Sequence, residues 1–238
     1  MREKIYSTGE KMIHKWQKVL VVFFSVLTLC FSAFLAHAQT DRHRIVIDPA
    51  HGGEDAGVVG VDKVAEKDVT LAIALALQKE LAKEKGMDVV LTRNSDKTLS
   101  VEERRKNIAG VNPALVLSLH ANAGFGKTSS GFELYYPGFK EFDASNKTAK
   151  ASAGTPDKHL NDTVKLARLV QKNLDGLFPR KGRGLREAGV PLAEGLSVPV
   201  LVVELGFLTH PDEKKKLTSE KMQAEIAKAL AKSVKAFF

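Results

Sequence analysis

Short apolar runs alternate with longer amphipathic segments along this chain from Arg44 onward. Ile45 to Ile47 reads as a first strand. Residues 68–85 place apolar side chains at helical spacing, with Asp68 near the start, lysines near the end and Gly86 as a stop. Met87 to Thr92 predicts a second strand. Ser100 followed three residues later by Glu103 has the spacing of a capping box, so a helix should start there, run toward Gly110 and break at Asn112-Pro113. Ala114 to Leu119 predicts a third strand and Gly131 to Tyr136 a fourth. The stretch from Phe139 to Lys158, rich in Lys, Ser, Ala, Thr and Gly, has no clear period and reads as an exposed loop. Residues 162–177 resume a helix that must end before Pro179. Lys181 to Arg186 reads as a basic, glycine-punctuated turn, Val198 to Val203 as a central strand and Ser219 to Phe238 as a closing helix. Alternating strands and helices predict a single α/β domain, with a mostly parallel or mixed central sheet and helices on both faces.

The first residues follow a different pattern. Arg2, Lys4, Lys11, Lys15 and Lys18 precede an apolar run from Val19 to Leu35 and the triplet Ala36-His37-Ala38. A basic region, an apolar region and a small-x-small site together predict a secretory signal over residues 1–38, cleaved after Ala38, leaving a domain of residues 39–238. An uncleaved anchor helix is the competing reading, and Met12 is an alternative start. The sole cysteine, Cys30, lies inside the apolar run, so the mature chain needs no disulfide. The 238 residues carry a formal charge of +8, which suits an anionic polymer. No nucleic-acid-binding pattern accompanies that charge, and no nucleic acid partner is expected.

Three predicted strands end on chemically capable side chains. His51 follows the first strand in Asp48-Pro49-Ala50-His51-Gly52-Gly53, His120 follows the third in Ser118-Leu119-His120, and Glu204 follows the run Pro199 to Val203. Strand ends of an open α/β sheet are where distant segments converge on one crevice. Two histidines and one carboxylate are a familiar zinc-holding set. Gly52 and Gly53 permit a tight turn beside His51, while Ser118 and Asn122 offer hydrogen-bonding neighbours to His120. Glu54, Asp55, Glu66 and Asp68 are all open as the third ligand. A carboxylate in company as apolar as that of Glu204 is costly unless it is paired or functional.

The segments HGGEDAGVVG, AEKDVTLAIALAL, LTRNSD, VEERRKNIAG, LVLSLHANA and VELGFLTHPDE stand in the order and spacing of the zinc-dependent N-acetylmuramoyl-L-alanine amidases that cleave peptidoglycan. The resemblance covers nearly all of residues 44–238. It implies one zinc ion held by His51, Glu66 and His120, with Glu204 as the catalytic acid/base. Pro49-Ala50 stands where that family more often has Pro-Gly, and the segment from Arg183 to Leu192 follows the family's arginine-rich stretch only loosely. Arg186 is therefore only a candidate substrate contact.

The resemblance further implies hydrolysis of the amide between N-acetylmuramic acid and L-alanine of the stem peptide, in cell-wall remodelling or daughter-cell separation. Peptidoglycan is then the partner, with the enzyme exported, to the periplasm rather than fully secreted, and without a stable membrane anchor after signal cleavage. A zinc exopeptidase and a noncatalytic wall-binding protein are the rival readings. Some members of that family carry a helix that covers the zinc until a partner removes it. The corresponding stretch, Pro137 to Asn161, lacks the apolar periodicity of a docked helix, so an activator protein is possible but not required. The tripartite start predicts that N-terminal sequencing of the exported protein reads from Gln39 or close to it; Met1 or Met12 at that terminus would favour the anchor instead.

Overall fold

The computed structural model describes residues 42–124, 128–137, 157–179 and 181–238, together with Leu20. The predicted signal and cleavage site, and most of the stretch 137–161, lie outside these residues. The chain divides into two compact units, 1–41 and 42–238, and the second is the one described.

Six strands form one sheet: β1 (His43–Pro49), β2 (Met87–Leu91), β3 (Leu115–Asn122), β4 (Phe132–Pro137), β5 (Gly182–Ala188) and β6 (Val200–Phe207), in the spatial order β2-β1-β3-β6-β4-β5. Pairings of β1 with β2 and β3, of β3 with β6 and of β4 with β5 are parallel, whereas β4 runs antiparallel to β6. The sheet is thus mixed. The helices are α1 (Glu66–Leu81), α2 (Val101–Val111), α3 (Asp157–Asp175), α4 (Pro211–Leu217) and α5 (Glu220–Phe237).

Strand alternation decides which helix covers which face. Ile45, Ile47, Leu115, Leu117, Leu201 and Val203 point to one side, against Ile73, Leu77 and Leu81 of α1, Leu166 and Val170 of α3, and Ile226 and Leu230 of α5. Val46, Val116 and Val200 point to the other, where Ile108 of α2 and the short turn at Leu192 and Ala193 form a smaller cluster. Each fully buried Leu or Ile contributes about 1.5–3 kcal/mol, so the α1–α3–α5 face is the main store of stability. Apolar periodicity places α1 correctly but overshoots its end. The helix stops at Leu81, its last buried side chain, because Lys83 and Lys85 beyond it are exposed and have nothing to bury.

Most predicted strands are present within a few residues of expectation, and α2 carries the complete capping box between Ser100 and Glu103. One reading is overturned. Lys181 to Arg186, expected as a turn, is from Gly182 onward the body of β5, an edge strand among the described residues. Two glycines and exposed basic side chains leave no apolar alternation to read, and the strand is held by its ladder with β4. The third and last central strands also run further than their apolar runs, so that His120 and Glu204 lie within β3 and β6 rather than after them.

A buried ion pair fixes the exit of β1. Asp48, 2% exposed, accepts from Thr92 Oγ1 at 2.6 Å, Arg104 Nη1 at 2.7 Å and Ser118 Oγ at 2.8 Å. The same Arg104 donates to the carbonyls of Pro49 at 2.9 Å and His51 at 2.6 Å. Arg93 donates to those of Pro49 and Ala50 at 3.0 and 2.9 Å. Two buried guanidinium groups therefore grip the backbone just where His51 takes a left-handed conformation, φ 61°, which costs a non-glycine residue on the order of 1–3 kcal/mol. Removing one partner of a buried pair leaves the other charge uncompensated, at about 3–5 kcal/mol. Asp48→Asn should lower the unfolding free energy in urea by about that amount. A loss below about 1 kcal/mol would show that the pair does not anchor this corner.

Candidate metal centre and active site

The carboxyl ends of parallel strands bring the candidate residues together. His51 leaves β1, His120 lies near the end of β3, and Glu204 on β6 is the residue opposite His120 in the ladder. Glu66 arrives by another route. It opens α1, and residues 52–65 loop back so that the first turn of the helix lies beside the strand ends. Bridges Gly52–Asp55 and Val59–Ala65 hold that loop.

Glu66 is the hub. Its carboxylate, on a residue 2% exposed, lies 3.1 Å from His51 Nε2 through one oxygen and 3.1 Å from His120 Nδ1 through the other. The backbone N–H groups of Val58 and Ala121 donate to the same two oxygens at 2.9 and 3.0 Å. Burial alone would raise this carboxyl, but the hydrogen bonds from His120, His51, Val58 and Ala121 outweigh it and hold the group well below the usual carboxylate range. The His51 imidazole is pushed up to about 9, first by its hydrogen bond to Glu66 and, against burial, by Asp55. Asp55 Oδ2 lies 2.7 Å from His51 Nδ1 and so orients the ring. Gly57 closes the arrangement from behind. Its φ is +64°, and a Cβ there would come within 2.6 Å of both Glu66 Oε2 and His51 Cδ2.

Potential ligand atoms of His51, Glu66 and His120 all lie within 4.8 Å of one another. One nitrogen from each imidazole and an ionised carboxylate are a donor set that fits a divalent transition metal. His51, His120 and Glu204 line a cavity of about 490 Å³, together with Asn122, Tyr135 and the apolar Leu99, Val190 and Leu192.

Glu204 contrasts with Glu66 in that its Oε2 is buried without a hydrogen-bond partner among the described residues. Desolvation pushes its carboxyl up to about 7, with the Glu66 and Glu133 charges adding to the rise and His120 and His51 opposing it. A carboxyl poised near neutrality can both accept and return a proton.

The structure brings together all four residues that the sequence resemblance named, and separates the other acids. Glu54 and Asp68 are exposed, and Asp55 serves the far nitrogen of His51. Ser118 and Asn122 do not serve His120 as expected: Ser118 bonds Asp48, and Asn122 Nδ2 donates to Glu133 Oε2 at 2.9 Å. Sequence reasoning missed Glu133 and Tyr135. The signal was present in Phe132-Glu133-Leu134-Tyr135, where alternation sends Phe132 and Leu134 into the core and their neighbours to the cleft face.

Comparison with known proteins agrees with this geometry. Residues 45–236 match the family described as Amidase_3, N-acetylmuramoyl-L-alanine amidase. The chain is 28% identical over 220 residues to the amidase AmiC of Escherichia coli, covering 82% of this chain and 52% of that protein, so it spans about half the length of that relative. It is 29% identical over 208 residues to the germination-specific amidase of Bacillus subtilis, covering 82% and 79%. The crystal structure of an N-acetylmuramoyl-L-alanine amidase from Clostridium difficile 630 superposes with a TM-score of 0.70 at 28% identity, covering 83% of this chain and 97% of that one. A match over most of the chain, on a fold that gathers two histidines and a glutamate at the strand ends, leads to one conclusion: the chain belongs to the N-acetylmuramoyl-L-alanine amidase family.

Proposed function

We propose that the domain is a zinc-dependent N-acetylmuramoyl-L-alanine amidase that hydrolyses the amide joining N-acetylmuramic acid to the L-alanine of peptidoglycan stem peptides. The observation that carries the reading is Glu204, whose Oε2 has no hydrogen-bond partner among the described residues and which lines the same cavity as His51 and His120. In this reading His51, Glu66 and His120 hold the metal. Bound there, zinc would supply a Lewis acid that polarises the scissile carbonyl and makes water a better nucleophile.

The protein's own groups perform the remaining work. The Glu204 carboxylate accepts a proton from the attacking water and returns it to the amine of the departing L-alanine, which needs a carboxyl near neutrality. Asp55 holds the His51 ring in one orientation, and the backbone N–H groups of Val58 and Ala121 satisfy the buried Glu66 carboxylate. The apolar part of the cleft excludes bulk water around the reacting amide.

Peptidoglycan lies outside the cytoplasm, and the signal-like residues 1–38 are consistent with export. We place the mature domain, residues 39–238, in the periplasm, acting in wall remodelling or daughter-cell separation without a required activator.

Two substitutions and one product analysis test the assignment. On purified sacculi the mature protein should release peptides with a free L-alanine amino terminus, whereas an exopeptidase would release single amino acids from simple peptides. His120→Ala should lose zinc, measured by elemental analysis, together with hydrolysis; full occupancy in a folded variant would remove His120 from the ligand set. Glu204→Gln keeps shape and should keep zinc, while turnover falls by about two to four orders of magnitude. Near-normal turnover would move the proton-transfer role to another residue.

A further inference from the structure

A register shift in the outermost strand places two arginines where strict alternation would place one. Along the β4–β5 ladder Phe132 pairs with Gly182 and Leu134 with Leu185, so three residues of β5 span two of β4. The extra residue is accommodated around Gly184, at φ +89°. Such a bulge re-aims the side chains that follow it. Arg183 and Arg186 both reach Glu133 as a result, Arg183 Nε at 2.6 Å and Arg186 Nη1 at 3.7 Å from the same oxygen.

Glu133 is 3% exposed, and its other oxygen accepts from Asn122 Nδ2 and Tyr135 OH at 2.9 and 2.7 Å. Arg183 is held from a second direction, its Cζ 5.2 Å from the centre of the Phe207 ring. One arginine suffices to neutralise Glu133. The second guanidinium stands beyond hydrogen-bond distance, with 49% of its side chain exposed, and adds a second positive charge beside Glu133. The two arginines adjoin the cleft rather than line it. Glu133 is the ladder partner of Glu204, and Asn122 and Tyr135 line the cavity with it.

We infer that Arg186, set in place beside Arg183 by the bulge and by Glu133, forms a carboxylate-binding subsite that reads the peptide half of the substrate. The inference rests on the amidase reading above. Its chemical basis is the distribution of charge in a muramoyl peptide. An N-acetylated sugar is neutral, and its lactyl carboxyl is consumed in the scissile amide, so negative charge lies on the peptide side. A guanidinium offers a carboxylate two parallel N–H donors, which a lysine cannot reproduce.

The test uses the zinc-loaded mature protein and two synthetic muramoyl-L-alanyl peptides, identical except that the residue after L-alanine bears a free carboxylate in one and its carboxamide in the other. The parent should favour the carboxylate by about tenfold or more in kcat/KM, mainly through KM, as expected for loss of one charge-assisted hydrogen bond. Arg186→Gln should bring the ratio near one, and Arg186→Lys should restore only part of it. Circular dichroism checks that the variants fold, which the exposure of Arg186 favours. A parent that hydrolyses both peptides equally, or a ratio untouched in Arg186→Gln, overturns the subsite while leaving the amidase reading intact. Cleavage of neither peptide sinks the amidase reading, and this inference with it.

Discussion

Burying an ionised carboxylate costs several kcal/mol unless its lone pairs are occupied, and the architecture around Glu66 answers that constraint. Its four donors come from separate parts of the chain: the β1 exit, the loop before α1, and two consecutive residues of β3. The carboxylate also stands at the start of α1, where the helix dipole favours negative charge. One side chain thereby stitches a loop, a helix and two strands to a single point. The left-handed His51 and the side-chain-free Gly57 are local concessions to that point, and the grips of Arg93 and Arg104 oppose the strain at His51.

Glu133 and Glu204 face each other across the antiparallel β4–β6 pair, with opposite solutions to the same problem. Glu133 is satisfied by an arginine, an amide and a phenol. Glu204 Oε2 has no partner among the described residues, and desolvation leaves its proton affinity high. Two carboxylates on one wall therefore divide the work: the saturated one positions cations and the unsaturated one is available for proton transfer. Environment, not residue type, separates them.

Periodicity and caps made much of the fold legible. The complete capping box at Ser100, the apolar rows of α1 and the buried runs of β1, β3 and β6 are local signals, and local signals survive in a sequence. The strand β5 left none, because its stability comes from pairing with β4 rather than from burial of its own side chains. Site chemistry was legible in kind but not in choice. Strand-end histidines pointed to a centre, yet nothing local distinguished Glu66 from Glu54, Asp55 or Asp68, and the family resemblance singled it out. Asp48 and Arg104 left no signal at all. Each looks like an ordinary residue until the fold brings them 2.7 Å apart.

The strand order carries a consequence for how the molecule comes into being. β6, the last strand along the chain, is inserted between β3 and β4 in the middle of the sheet. Until it arrives, β3 and β4 have no partner on that side, and open edges of this kind invite pairing with other chains. Non-local closure is slow, so a chain emerging from its amino terminus must wait with a divided sheet. The strand that completes the sheet is also the one that bears Glu204. A nascent or half-folded chain can thus hold His51, Glu66 and His120 and still lack Glu204, so that, on the proposed mechanism, completing the fold and arming the enzyme are one event.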